Sequence, residues 1–177
     1  KRIDQLRYQI LNKMTGDSIM SNILLNADSY KASHFLQYPQ NTSTVSSYIE
    51  SRSGLFDATL FFGLQAFIKQ TLLKPFNQAD IDEADELLTA HGVPFNRSGW
   101  QYILDTYNGY LPLEIQAVPE GSVIATHNVL VQVQNTDANC AWLTSYIETA
   151  LLRAVWYPTT VATVSYQCKQ VIARYLA

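Results

Sequence analysis

Residues 113–134 read LEIQAVPEGSVIATHNVLVQVQ, and this stretch decides the fold class. Three short runs, 113–118, 122–125 and 129–134, are rich in Val, Ile and Leu, and Pro119-Glu120-Gly121 and His127-Asn128 divide them. Such runs with turn chemistry between them predict strands, and their closeness in sequence predicts an antiparallel meander. Thr136 then stands where a cap should be for a long helix from about Asn139 to Val155, after which Pro158 resets the chain into a final helix.

Upstream the pattern is mixed in the same way. Residues 44–52 are β-branched and aromatic with no helical stripe, which predicts a strand, and residues 59–62 predict another. Gly63 breaks that strand, and residues 64–73 read as a helix ending before Pro75. Asn77 caps an amphipathic helix carrying Ile81, Ala84, Leu87 and Leu88, with Gly92 as its stop, and a further helix over about 100–107 closes at Asn108-Gly109. Nearer the start, Asp28 stands as N-cap to a helical stretch that Pro39 ends, placing Tyr30, His34 and Gln37 on one face. Ile3, Leu6, Ile10, Leu11 and Met14 recur at helical intervals. Strands and helices that cluster rather than strictly alternate predict an α+β fold. The organisation expected is a helical extension over 1–21, an α+β domain over 22–138, and the helical start of a second unit over 139–177.

At 177 residues and 47% hydrophobic, the chain can bury roughly two thirds of its unfolded surface. A formal net charge of -3 lacks the basic footprint of a nucleic-acid binder. Cys140 and Cys168 have neither C-x-x-C spacing nor the density of a disulfide scaffold, so both read as reduced thiols. No apolar run approaches the ~18 residues of a membrane span, and no signal pattern opens the chain, so a cytoplasmic protein is expected. Lys1 and the unterminated helical spacing at Val171, Ile172 and Tyr175 suggest that both ends are cut.

Three features bear on chemistry. Asp28-Ser29-Tyr30 opens a helix, whose free N–H groups and partial positive charge suit a ligand, and Tyr30 could present its ring to a flat heterocycle; an ordinary cap and a core tyrosine explain the same residues. Arg52 ends a strand, where a guanidinium can meet phosphate oxygens with two parallel hydrogen bonds, though a solvated or salt-bridged arginine fits equally. His34, His91 and His127 show no i, i+4 pair and no ligand cluster, so no zinc site is expected. No Walker loop, dinucleotide fingerprint, nucleophile elbow or H-E-x-x-H is present.

Longer phrases carry more. They are Asp28-Ser29-Tyr30-Lys31 with His34 and Gln37-Tyr38-Pro39, Phe62-Gly63-Leu64-Gln65, Leu111-Pro112-Leu113-Glu114-Ile115, Ala117-Val118-Pro119-Glu120-Gly121, Ile147-Glu148-Thr149, and Trp156-Tyr157-Pro158 with Val161-Ala162-Thr163. In these, over nearly all of residues 22–176, the chain resembles the nicotinamide phosphoribosyltransferase family. The related nicotinate enzymes share the early tyrosine, but the spacing of Tyr30-Lys31, His34 and Gln37-Tyr38-Pro39 is more similar to the nicotinamide branch.

The resemblance implies the mixed helix and antiparallel-sheet N-terminal domain of a type II phosphoribosyltransferase, with its first helices leading into an α/β barrel that is absent here. It implies a homodimer with shared active sites, nicotinamide and phosphoribosyl pyrophosphate as substrates, Mg²⁺ on the leaving group and ATP as a coupling substrate. Within the matched motifs Tyr30 corresponds to an aromatic that sandwiches the pyridine ring, Asp28 to the carboxylate beside it, and Arg52 to the arginine holding pyrophosphate. The other walls of that pocket belong to the family's barrel half, so this chain alone is expected to be inactive. A different reading makes it a non-catalytic assembly fragment, whose final helices expose apolar surface that a partner would cover.

Overall fold

A computed structural model describes residues 22–176; the helix expected over residues 1–21 lies outside the described residues. In chain order the strands are Ser46–Glu50 (β1), Ala58–Leu60 (β2), Leu113–Ala117 (β3), Val123–Ala125 (β4) and Val129–Asn135 (β5). The α-helices are Leu64–Phe67 (α1), Gln78–His91 (α2), Arg97–Tyr107 (α3), Leu143–Tyr146 (α4) and Glu148–Leu176 (α5). An α+β fold is the result.

The strands do not form the expected meander. β5 lies between β1 and β3 in one antiparallel sheet, while β4 leaves it to pair with β2 in a second. Burial explains the difference. Leu130, Val131 and Val133 of β5 are all buried, so this strand sits at the centre and needs ladder partners on both edges. In β4 only Ile124 turns towards the core, which suits a strand paired on one side.

β2 would be left with an open edge. Just past its end, Phe61 exchanges hydrogen bonds with Gly121 and Ser122 on the β4 side. On the other side, the Leu60 N–H donates to Thr163 Oγ1 at 2.9 Å and the Phe62 N–H to Thr159 Oγ1 at 3.2 Å. Thr159 Oγ1 also lies 3.1 Å from the Phe62 carbonyl, to which it donates. Both threonines are buried on α5, so a helix face substitutes for a strand along this edge.

Pro158 does not divide α5, contrary to expectation; the helix runs through it from Glu148 to Leu176. A proline within a helix lacks the N–H that would bond four residues back, freeing the Ala154 carbonyl. Gly63, at φ 111°, packs against that break: a Cβ there would lie 2.4 Å from the Ala154 oxygen and 2.7 Å from Pro158 Cβ. The helix expected over 64–73 is split, with a π turn Ile68–Leu72 following α1. Glu120 supplies the missing cap, its Oε1 accepting from the Gly63 and Gln65 N–H groups at 3.0 and 2.7 Å.

The core centres on Trp100, fully buried on α3, with Phe76, Trp142 and Tyr146 edge-on at ring centroid distances of 5.4, 5.0 and 5.0 Å. Each such aromatic pair adds about 0.5–1.5 kcal/mol to burial. Tyr146 also donates to the Leu24 carbonyl at 2.6 Å, and burial raises its pKa, keeping the hydroxyl a neutral donor.

The stretch expected as one helix from about 139 begins instead as a 3₁₀ turn, Ala138–Cys140, then α4, then α5. Asp137, not Thr136, caps it by accepting from the Asn139 N–H at 2.8 Å. Two hydroxyls fix that carboxylate: Tyr102 and Tyr107 both donate to Asp137 Oδ2, at 2.8 and 2.7 Å. These bonds, the Tyr107 hydroxyl foremost and the Asn139 N–H next, hold the Asp137 carboxyl below the ordinary carboxylate range. The same carboxylate pushes the Tyr107 phenol up to about 12.

Two outcomes follow from these contacts. Gly63→Ala places a methyl group in left-handed backbone against Ala154 and Pro158, and we expect a loss of about 2–4 kcal/mol in urea unfolding; a loss below about 1 kcal/mol contradicts the packing. A depressed Asp137 pKa gives stability that is present above the unfolded value of about 3.9 and is lost as pH falls through the folded value. Thermal scans from pH 7 to 2 should therefore show Asp137→Asn less stable at neutral pH, with the gap to the parent chain closing in acid; a constant gap contradicts this.

Candidate functional site

β1 ends at Glu50 with its register shifted between Ile49 and Glu50, so the strand bends away from β5 and the following loop swings over α5. Between that loop and the helix lies an open cleft of 720 Å³, bordered by Arg52, Thr149, Leu152, Arg153 and Trp156 among others. The loop is anchored at its far side, where the His127 N–H donates to the Ser51 carbonyl at 2.7 Å.

Two guanidiniums, Arg52 and Arg153, therefore share one wall system. Arg153 is steadied by a neutral partner, donating from Nη1 to Asn26 Oδ1 at 3.1 Å. Among the described residues no carboxylate is ion-paired with either arginine. Glu50 also lines the cleft, and two guanidiniums without an ion-paired carboxylate suit an anion with several oxygens, since each charge-assisted hydrogen bond contributes roughly 1.5–3 kcal/mol.

Thr149 links this cleft to Asp28. Its hydroxyl donates to Asp28 Oδ2 at 2.9 Å and accepts from the Asp28 N–H at 3.4 Å. Asp28 does not cap the next helix with its side chain, as the sequence suggested; Ser29–Leu36 is a 3₁₀ helix, and the carboxylate turns towards α5 instead. The tight helix follows from its anchoring: Lys31 and Ala32 are buried on one side while Leu36 stays exposed on the other.

Tyr30 stands apart from the cleft. It is 55% exposed, lies 5.2 Å from the His34 ring at a tilt of 57°, and has Lys31 Nζ 5.5 Å from its centroid. Lys31, itself buried, is ion-paired with Glu148. Of the three residues singled out from the sequence, the fold brings Arg52 to the cleft wall and Asp28 to it through Thr149. Tyr30 is not part of the lining.

Sequence reasoning passed over Thr149, Arg153 and the Lys31–Glu148 pair. One signal was present: Thr149, Thr159 and Thr163 are polar residues placed on the apolar stripe of a helix, where a hydroxyl must find a backbone or side-chain partner. Neither His91, at the end of α2, nor His127, in the turn before β5, lines the cleft, though the His127 backbone bonds the lining residue Ser51. Among the described residues no group of three or more His, Cys, Asp or Glu could hold a metal ion. No described helix is long and apolar enough to cross a membrane.

Residues 22–115 match the family described as nicotinamide phosphoribosyltransferase, N-terminal domain. The chain is 55% identical to a nicotinamide phosphoribosyltransferase of Xanthomonas campestris pv. campestris, over 89% of its own length and 33% of that protein's. It is 33% identical to one of Acinetobacter baylyi, over 85% of its length and again 33% of the relative's. Its fold matches a crystal structure of human nicotinic acid phosphoribosyltransferase with a TM-score of 0.55 at 22% identity, over 77% of this chain and 26% of that one. The chain thus spans about a third of the length of the relatives it matches.

Proposed function

The chain belongs to the nicotinamide phosphoribosyltransferase N-terminal domain family, and from that premise we propose that it supplies one side of the active site of such an enzyme, which joins nicotinamide to phosphoribosyl pyrophosphate. The observation that carries the reading is one cleft lined by Arg52, Arg153 and Thr149, whose hydroxyl bonds Asp28, two residues before the exposed Tyr30 ring.

The reaction is displacement at the ribose C1. The pyridine nitrogen attacks as pyrophosphate leaves, forming the C–N bond and breaking the C–O bond to give nicotinamide mononucleotide. Arg52, with Arg153 beside it, holds the departing diphosphate; fixed positive charge where negative charge develops lowers the barrier rather than only tightening substrate binding. Tyr30 offers a face to the pyridine ring, and Asp28, held by Thr149, sits two residues away as the nearby carboxylate.

Because the chain spans about a third of its relatives' length, the reading assigns the opposite wall to polypeptide outside residues 1–177 and to a homodimer with shared sites. In that organisation residues 22–138 form the N-terminal domain and 139–177 begin the barrel unit, in a cytoplasmic pentosyltransferase that is inactive without its remainder. The exposed face of α5, with Trp156 at 68% and Tyr157 at 63%, supports coverage by that remainder. Mg²⁺ on the departing diphosphate and ATP as a coupling substrate stay part of this proposal; among the described residues no group of three or more His, Cys, Asp or Glu is placed to hold the metal, and no step here is routed through it. The fold neighbour acting on nicotinic acid bears on architecture alone, since identity to it is 22%.

Steady-state kinetics of the full-length gene product test the reading. Arg52→Ala should lower kcat/KM for phosphoribosyl pyrophosphate about 10- to 100-fold, the size of one lost charged hydrogen bond. Tyr30→Ala should raise KM for nicotinamide by about two- to tenfold. Unchanged constants in both variants would remove the assignment.

A further inference from the structure

We infer that Lys31 and Glu148 are positioning residues: their ion pair orients the Tyr30 ring for a flat aromatic heterocycle. This rests on the reading of Tyr30 given above and adds two residues to it.

Burial is the first observation. Lys31 is 7% exposed although its neighbour Tyr30 is 55% exposed, and an ammonium withdrawn from water is costly unless paired. Glu148 compensates it, and Glu148 is itself well placed, since a carboxylate in the first turn of α5 meets the positive end of that helix. The pair is buried only on the Lys31 side, the Glu148 side chain being 45% exposed, and such a half-exposed pair adds little net stability, so its worth lies in fixing geometry.

Geometry is the second. Glu148 and Thr149 are consecutive, and they hold the two ends of one turn: Thr149 holds Asp28 and Glu148 holds Lys31. The Lys31 N–H closes that turn by donating to the Asp28 carbonyl at 2.9 Å. Tyr30 sits between the two held ends. Its ring has the Lys31 ammonium 5.5 Å from the centroid and the His34 ring at 5.2 Å, which restricts the side chain while leaving half of it open.

A ring already held in its binding orientation loses less entropy when a ligand stacks on it. Removing the ammonium frees the ring without removing it. The cost falls on binding of the aromatic substrate, not on the diphosphate, which the cleft arginines handle separately.

Full-length gene product carrying Lys31→Met, Glu148→Gln or both, with Lys31→Arg and Tyr30→Ala as references, distinguishes the cases. Both single variants should raise KM for nicotinamide about two- to fivefold, the strength of a cation–π contact at an exposed ring, while KM for phosphoribosyl pyrophosphate holds. Lys31→Arg should restore the parent value, and the double variant should be no worse than Lys31→Met, because the pair acts as one unit. Equal effects on both substrates, or a lowered melting temperature with no change in KM, would overturn the inference and leave a structural ion pair. If Lys31→Met does not fold, Glu148→Gln carries the same comparison with its shape retained. A rise in KM with Tyr30→Ala but none with either pair variant removes only this inference; no rise with Tyr30→Ala removes the functional reading together with it.

Discussion

A strand that pairs on one edge only must find partners for the N–H and C=O groups of the other, or leave them to water. β2 solves this with a helix. Thr159 and Thr163, one turn apart and both buried on α5, meet alternate backbone groups of residues 60–62, the spacing along the helix matching two residues along the strand. That match fixes the height of α5 against the second sheet, and Gly63 then seats the helix against the carbonyl that Pro158 frees.

With α5 fixed at that point, its first turn becomes the reference for the site. Thr149 and Glu148 grip the turn from Asp28 to Lys31, Arg153 donates to Asn26, and Tyr146 just before the helix holds the Leu24 carbonyl. Segments more than a hundred residues apart in sequence thus meet at one helix start. The cleft arginines come from opposite sides of this arrangement, Arg52 from the loop after the bulge in β1 and Arg153 from the helix itself. A rigid helix carrying several of the contacts gives a precise site at small cost in flexibility.

Local chemistry made much of the fold legible. The Asn77 cap and Gly92 stop of α2 were readable because a side-chain oxygen and a left-handed glycine act within a few residues. Pairing was not readable in the same way: β4 looks like the middle of a meander until the burial of Leu130, Val131 and Val133 on β5 is known, and burial depends on what packs from elsewhere. Pro158 misled for a related reason, since its usual disruption is absorbed by a glycine distant in sequence. For the site, Arg52 and Asp28 stood out by position in matched phrases, whereas Lys31 reads as any surface lysine until its burial is seen.

The threonine contacts also bear on how the chain is made. The hydroxyls that complete β2 lie 97 and 103 residues downstream of the backbone groups they meet. On a ribosome adding about 5–20 residues per second, residues 60–62 wait roughly 5–20 s for those hydroxyls, and for the first part of that time β4 on the other edge is unmade as well. During translation that short segment is the exposed one, open to association with other nascent chains or to holding by a chaperone until the long helix emerges.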